Sequence, residues 1–378
     1  MNKKIVSVIM PCLNEEQTIK TSIKWAKIGL SKLPKSYSGE IIVVDNGSTD
    51  KSKKLAKKEK VKVFSQDIKG YGRAYITGLN KSSGQYIVIG DSDATYDFRL
   101  LPLFIKKLEQ GYELVLGSRL KGHAKPRKMS FTHQYIGNPI LTFLLNLFYG
   151  SQITDAHTGM RAFTKHTYHK LNMKGKGMEF ASEMIIKAIY HNLKIAEIPI
   201  PYYKRLGKSK LLPLPDAYRH IKYILLYSPT YVFVMPGLIL FLTGSIISIA
   251  LLPGGLIFLG RFFDIHTMSI GILFASLGVQ LILLGVFSRL YTRYTLSLPS
   301  GPLGNFLTNN LTTGRLLLFG SLIILVATII IGTITLNWIG ANFGALSKVR
   351  EFIFAIGLSV IGIQILFSSF LFGLLKEE

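Results

Sequence analysis

The sequence predicts an α/β domain built on a parallel sheet, followed by an α-helical membrane domain of four transmembrane helices. Three observations predict it. Strand-like and helix-like stretches alternate through the first half of the chain. Polar clusters fall directly after several of the strands. Charge and apolarity also separate along the chain: 48% of the 378 residues are hydrophobic, yet the formal net charge is +24. Residues 1–227 hold 38 of the 45 Lys/Arg and 17 of the 21 Asp/Glu, a balance of +21, whereas residues 228–378 balance at +3. The division reads as a basic, water-soluble head joined to a membrane tail.

Taken in order, residues 5–10 (IVSVIM) form an apolar, partly β-branched run ending at Pro11. Asn14-Glu15-Glu16 then opens a helix to about Leu30, its acidic first turn suited to the helix dipole. EIIVV (40–44) is a second buried strand, and Ser48 or Thr49 caps the lysine-rich helix of KSKKLAKKEK (51–60). Residues 61–64, 85–89, 114–116 and 194–199 read as strands, and 73–80, 101–110 and 177–190 as helices. Continuous apolar strands between helices argue for a parallel sheet covered on both faces. Ligands of such sheets bind beyond the carboxyl ends of the strands, where PCLNEE, DNGSTD and DSDATYD all fall.

Further along, YIGNPILTFLLNLFY (135–149) suits a core or membrane-facing helix but is too short to span a bilayer. Residues 213–228 interleave Arg219, His220 and Lys222 with Tyr218, Ile221, Tyr223 and Leu225, as an interfacial helix leading into a membrane would. Apolar stretches at about 229–252, 269–290, 316–338 and 352–374 each meet the length of roughly 20 residues that a span requires. None has a charge near its centre, which argues against an ion-coupled transporter. The expected domains are therefore 1–212, a linking helix 213–228 and a membrane domain 229–378. No secretory signal opens the chain, so the head and both termini are expected in the cytosol, on a multi-pass protein of the cytoplasmic membrane. A slight positive-inside bias in the loops agrees.

The lysines of 51–60 lie at helical spacing, so they read as a solvated helix face rather than a nucleic-acid tract; anionic lipid is a compatible partner. The single cysteine, Cys12, excludes an internal disulfide and a cysteine-based metal site. Histidines 123, 133, 157, 166 and 169 show no H-x-x-x-H pair and predict no histidine metal centre.

Acidic residues are scarce, yet GDSDATYD (90–97) gathers Asp91, Asp93 and Asp97 at a strand end. On an extended segment, residues two apart point the same way, so Asp91 and Asp93 share a target. Adjacent carboxylates are costly without a cation between them, and a hard divalent ion, Mg²⁺ or Mn²⁺, completed by water and phosphates, suits them. Asp97 fits a helix cap. Asp45, at the strand end within VVDNGSTD (43–50), is placed to accept hydrogen bonds from a nucleobase or ribose, or simply to close a turn. Glu15 is placed either to compensate a helix dipole or to contact a ligand.

VSVIMPCLNEE, EIIVVDNGSTD, KGYGRAYITG, GDSDATYD, LGSR and DAHTGMRAF follow one another in an order that resembles the family-2 inverting nucleotide-sugar glycosyltransferases. With the later IPIPYYKRLGKSKL, the set is similar to the dolichol- and polyprenyl-phosphate sugar synthases over about residues 5–212. The resemblance implies a Rossmann-like A-type glycosyltransferase domain that moves a sugar from a UDP- or GDP-sugar to a polyprenyl phosphate, with a homo-oligomer allowed and no nucleic acid. By position, it implies Pro11, Glu15 and Asp45 around base and ribose with Lys69 or Gly72 nearby, Asp91 and Ser92 on the nucleotide, and Asp93 on the metal. Relatives commonly read D-A-D-x-Q-H, whereas this chain has Thr95 where the glutamine helps to hold the metal. Arg119 and Asp155 match the acceptor side, and Arg205, Ser209 and Lys210 match the segment that closes over the phosphates. Arg119, Arg127, Arg205 and Lys210 are the cationic candidates for phosphate, because Arg forks suit it and Lys serves as a point charge. For Arg127 and Lys128 a basic loop without a site is an equal reading.

A processive polysaccharide synthase of the cellulose or hyaluronan type shares the head motifs but needs Q-x-x-R-W before the membrane. The only tryptophans, Trp25 and Trp338, do not follow an arginine. A non-catalytic head on a lipid-carrier transporter or scaffold is disfavoured by the retained D-x-D and the Arg/Lys segment.

Overall fold

A computed structural model describes residues 3–121, 135, 137–206, 213–294, 310–345 and 348–376. Arg127, Lys128, Ser209, Lys210, His123 and His133 lie outside the described residues. The chain divides into two compact units, Met1–Leu226 and Tyr227–Glu378.

The first unit is a seven-stranded sheet in the order β3-β2-β1-β4-β6-β5-β7. Its strands are β1 (Lys4–Cys12), β2 (Tyr37–Asp45), β3 (Lys62–Ser65), β4 (Tyr86–Ile89), β5 (Leu114–Ser118), β6 (Arg161–Thr164) and β7 (Ile195–Pro199). The helices are α1 (Ile19–Ser31), α2 (Ser52–Lys58), α3 (Tyr71–Lys81), α4 (Leu101–Glu109), α5 (Asn138–Tyr149), α6 (Lys165–Leu171), α7 (Phe180–Tyr190) and α8 (Pro213–Leu226). Alternate side chains of the central strands serve opposite faces. Val6, Val8, Met10, Val43 and Val88 join Ile19 and Ile23 of α1 and Phe104 and Ile105 of α4 in one buried core. On the other face Gly78 of α3 approaches so closely that a Cβ would sit 2.4 Å from Ile9 Cγ2, which is why a bare backbone stands there.

The sheet departs from the expected parallel arrangement at one strand. β6 runs antiparallel to both β4 and β5, while every other pairing is parallel. Its sequence, RAFT, is four residues long and opens on an arginine, so it carries no strand pattern. Arg161 is tolerated because its buried guanidinium donates to the carbonyls of Ala156, Thr158 and Ala181.

Two helix starts also differ. The first helix begins at Ile19 rather than Asn14, because residues 13–18 fold into a turn with Asn14 at φ +51°. The cap position of α2 is Lys51, without a side-chain bond, instead of Ser48 or Thr49. Those hydroxyls serve the neighbouring loop: Ser48 Oγ accepts from Asn14 N at 3.0 Å, and Thr49 Oγ1 donates to Asn14 Oδ1 at 3.4 Å beside its own amide at 2.8 Å. The loops after β1 and β2 are thereby stitched together. α5 is two-faced, with Leu141 and Leu145 buried and Ile140, Phe143 and Leu147 exposed.

Among the described residues, the second unit holds four helices long and apolar enough to cross a membrane: Thr230–Leu251, Ile265–Tyr294, Thr313–Gly340 and Val349–Lys376. The first pair packs backbone to backbone, since a Cβ on Gly244 would lie 2.3 Å from Gly271 O. The second pair meets through Gly320 and Gly362. At one end Arg350 pairs with Asp264 at 2.6 Å. Leu242, Ile246, Phe319, Ile329 and Phe367 face outward, an apolar surface that suits acyl chains.

Candidate active site at the carboxyl edge of the sheet

β1, β2 and β4 point their carboxyl ends to one edge: Cys12 is in register with Asp45, and Ile89, the last residue of β4, with Ile9. The loops that follow converge on one edge. Cys12 itself is 1% exposed, and burial pushes its thiol up to about 11, so it is inert packing beneath the edge. Pro11 contributes its carbonyl, which accepts from Ser92 Oγ at 2.7 Å; Ser22 Oγ in turn donates to Ser92 O. Ser92 is thus turned into the domain and clips the acidic loop onto β1.

That loop is not extended. Ala94 sits at φ +57°, a left-handed conformation that a residue with a Cβ adopts at a cost of about 1–3 kcal/mol. Its amide donates to Ser22 Oγ at 3.1 Å, which helps to hold the turn. Asp91 Oδ1 accepts from the hydroxyls of Tyr71 (2.9 Å) and Tyr75 (3.3 Å). Burial, and then the charge of Asp93, push its carboxyl up to about 6. Asp93 Oδ1 accepts from Thr95 N at 3.1 Å and Thr95 Oγ1 at 2.6 Å, and burial raises its pKa as well. The Thr95 hydroxyl donates its hydrogen bond to Asp93 and so fixes that carboxylate's orientation. Asp97 caps the turn at Phe98–Leu100, accepting from Arg99 N at 3.0 Å.

Around this pair stand the other predicted residues. Glu15 is buried, its Oε2 accepting from Thr18 Oγ1 and its amide donating to Ser52 Oγ. Asp45 Oδ1 accepts from Ser48 N at 3.2 Å, and Asn46 Oδ1 accepts from Gly70 N at 2.9 Å, tying the β2 loop to the start of α3. Lys69 lies over Gly47, where φ is +86° and a Cβ would meet Lys69 Cε at 2.9 Å. Gly72 packs on a neighbouring backbone: a Cβ there would meet Gly175 O at 2.1 Å.

Arg205 reaches the edge from the segment after β7. Its Nη2 is 2.5 Å from Glu15 Oε1 and its Nη1 is 3.3 Å from Asp93 Oδ2. Arg119 and Asp155 are brought together differently. Nε and Nη2 of Arg119 form a two-pronged fork on Asp155 at 2.7 Å each, with Arg119 N adding a third bond at 3.0 Å. Burial works to raise the Asp155 pKa, but the guanidinium outweighs it and holds the carboxyl below its ordinary range.

Residues 7–171 match the family described as Glycosyl transferase family 2, and residues 286–376 match the Glycosyltransferase family 2 C-terminal transmembrane region. The chain is 37% identical, over 98% of its length and 89% of the relative's, to the low-salt glycan biosynthesis hexosyltransferase Agl6 of Haloferax volcanii. This chain belongs to glycosyltransferase family 2. The match to the family's membrane region takes in the end of Ile265–Tyr294 and the whole of Thr313–Gly340 and Val349–Lys376.

Over its head, this family-2 chain is also 30% identical to a dolichyl-phosphate hexose transferase of Haloferax volcanii, across 55% of this chain and 87% of that one. It is 30% identical to a UDP-N-acetylglucosamine–dolichyl-phosphate N-acetylglucosaminyltransferase of Methanococcus voltae, across 53% and 86%. Among solved structures, glucosyl-3-phosphoglycerate synthase from Mycobacterium tuberculosis, crystallised with Mn²⁺, UDP and phosphoglyceric acid, shares 22% identity and a TM-score of 0.48 over 60% of this chain and 78% of that one.

Several residues of the edge escaped the sequence reading. Tyr71 and Tyr75 are four apart on α3 and so share a face, a spacing that was there to be seen. Tyr203 had no such signal. Its amide donates to Thr95 O, its hydroxyl to Asp97 Oδ2, and its ring packs on Trp25 at 5.4 Å. Gly159 faces the site from the other side, where a Cβ would lie 2.7 Å from Asp91 Oδ2.

Asp93 and Asp91 fit a hard divalent cation. Asp93 is buried and Asp91 half-buried, and both have raised pKa values, the state that a nearby cation relieves. Among the described residues no three Asp, Glu, His or Cys side chains gather round one point. A cation held here therefore takes its remaining ligands from phosphate and water, as Mg²⁺ and Mn²⁺ do in nucleotide sites.

Proposed function

We propose that this protein transfers a sugar from a nucleotide-diphosphate sugar, a UDP- or GDP-sugar, to a polyprenyl phosphate, with inversion at the anomeric carbon. The product, a polyprenyl-phosphate sugar, would supply cell-surface glycan synthesis or protein glycosylation. One observation supports the reading: a single chain carries the Asp91–Asp93 carboxylate pair at the sheet edge and four helices long and apolar enough to cross a membrane, the later ones within the family-2 membrane match. The named activities of the two dolichyl-phosphate relatives support the lipid acceptor.

In this reading Asp45, Glu15 and Lys69 would surround the base and ribose, with Pro11, Ser92 and Gly72 near them. Asp93, with Asp91 and the hydroxyl of Thr95 beside it, would hold Mg²⁺ or Mn²⁺, whose chemistry is to neutralise the diphosphate as it departs. An acceptor phosphate oxygen attacks C1 of the sugar; the new C1–O bond forms as the bond to the diphosphate breaks, and the electron pair leaves with the nucleoside diphosphate. The acceptor is already an anion, so no side chain is needed to take a proton. What remains is to hold two anions together, a task for fixed cationic donors. Arg205 would do this at the described edge, and Arg127 and Lys210, with the hydroxyl of Ser209, are proposed as further phosphate contacts. Arg119 shapes the acceptor side through Asp155. In this reading the head and both termini face the cytosol, and α8 lies at the surface of the cytoplasmic membrane.

The test is transfer of radiolabel from UDP- and GDP-sugars to a lipid-extractable product, by purified full-length protein with Mn²⁺ and polyprenyl phosphate. Labelled lipid from one donor, abolished by EDTA, is the expected result. No labelled lipid from any donor would sink the reading.

A further inference from the structure

Arg205 stands where the proposed reading puts a cation. Its guanidinium joins Glu15, from the loop after β1, to Asp93, from the loop after β4. It is delivered by residues 200–206, which lie along the acidic loop through an antiparallel bridge between Tyr96 and Tyr202 and the bond from Tyr203 N to Thr95 O. Its Nε is buried and finds no partner among the described residues. A buried guanidinium donor without an acceptor is unfavourable, and it points to a ligand that brings anionic oxygens.

We propose that Arg205 is an internal counter-cation, displaced from Asp93 when a divalent ion binds, and that the released fork then closes on the diphosphate of the donor. The inference rests on the reading that a metal and a nucleotide sugar share this edge. A guanidinium nitrogen 3.3 Å from Asp93 Oδ2 and a dication bonded to that oxygen repel one another, so the metal must compete for its ligand. A nucleotide diphosphate relieves the competition by taking up the fork. Metal and nucleotide therefore bind with positive coupling, and each strengthens the other by the same factor.

The experiment is calorimetric titration of full-length protein in nanodiscs with Mn²⁺, alone and with UDP or GDP, on wild type, Arg205→Gln and Arg205→Lys. Wild type is expected to bind Mn²⁺ about tenfold more tightly with the nucleotide present. Arg205→Gln is expected to bind Mn²⁺ alone about tenfold more tightly than wild type, with a smaller gain from nucleotide, the part that remains being direct phosphate ligation of the metal. Arg205→Lys keeps a competing charge and should match wild type for Mn²⁺ alone while losing part of the nucleotide gain. In a Trp338→Phe background, Trp25 emission should change when Mn²⁺ and nucleotide bind together, because Tyr203 packs on that ring. If wild type binds Mn²⁺ and Arg205→Gln binds it no better without nucleotide, the counter-cation is overturned while the metal reading stands. If no variant binds Mn²⁺ even with nucleotide, both fall.

Discussion

Arg119 and Arg205 make an instructive pair. Each is an arginine on a buried carboxylate in the same domain, yet their settings differ in kind. Arg119 is enclosed, with side-chain exposures of 7% and 0% for itself and Asp155, and its fork is met by both carboxylate oxygens. Arg205 keeps 24% of its side chain exposed, divides its nitrogens between two acids, and leaves Nε unmet. Geometric completeness marks the first as a rivet of the fold. Incompleteness is what the anion-binding role proposed for the second would use.

The largest expected effect breaks the comparison on the enclosed side. Arg119→Met strands a buried Asp155 charge and should destabilise the head by about 3–5 kcal/mol, read as a fall in its thermal midpoint. The pH dependence has a definite sign. The Asp155 pKa is lowered from its ordinary value of 3.8, so its contribution is fully present above that value and is lost as pH falls through the lowered one. Asp155→Asn should remove that acid-side loss, giving a flatter midpoint-against-pH curve below about pH 4 than wild type. A curve as steep as wild type's would mean that the pair is not what acid breaks.

On the open side, Asp93→Asn should lower transfer about 10²–10³-fold while leaving the thermal midpoint at or above that of wild type, since a buried charge is removed. A fall in stability to match that of Arg119→Met would erase the distinction between the two sites. The smallest effect sharpens it. Thr95→Val keeps the volume but removes the hydroxyl that orients Asp93, and should weaken Mn²⁺ binding by about 10–100-fold, with Thr95→Ser restoring it. Unchanged Mn²⁺ affinity in Thr95→Val would remove Thr95 from the metal's surroundings altogether.

How much of this was legible depended on how local each signal was. The apolar strands at β1, β2 and β4 and the polar clusters behind them could be read directly, because each is a contiguous pattern. Asp97 as a cap was equally local. β6 was hidden by its four residues and its leading Arg161. Glu15 misled the helix assignment, since an acid before an apolar run looks like a first turn, whereas here its side chain is drawn to Arg205, 190 residues away. The Arg119–Asp155 fork spans 36 residues across β5 and the loop before β6, and no periodicity links such partners. The motif resemblance placed both residues near the acceptor; only the fold shows that they hold each other.

Cys12 has a practical consequence of its own. It is the one thiol in the chain, lies at the end of β1 beneath the acidic edge, and is sealed from solvent. An alkylating reagent reaches it only when that edge opens, so the rate of labelling times the opening of the head. The membrane helices hold no thiol to add background. The native sequence thus already contains a single-site clock for loosening at the place where its chemistry is proposed to occur.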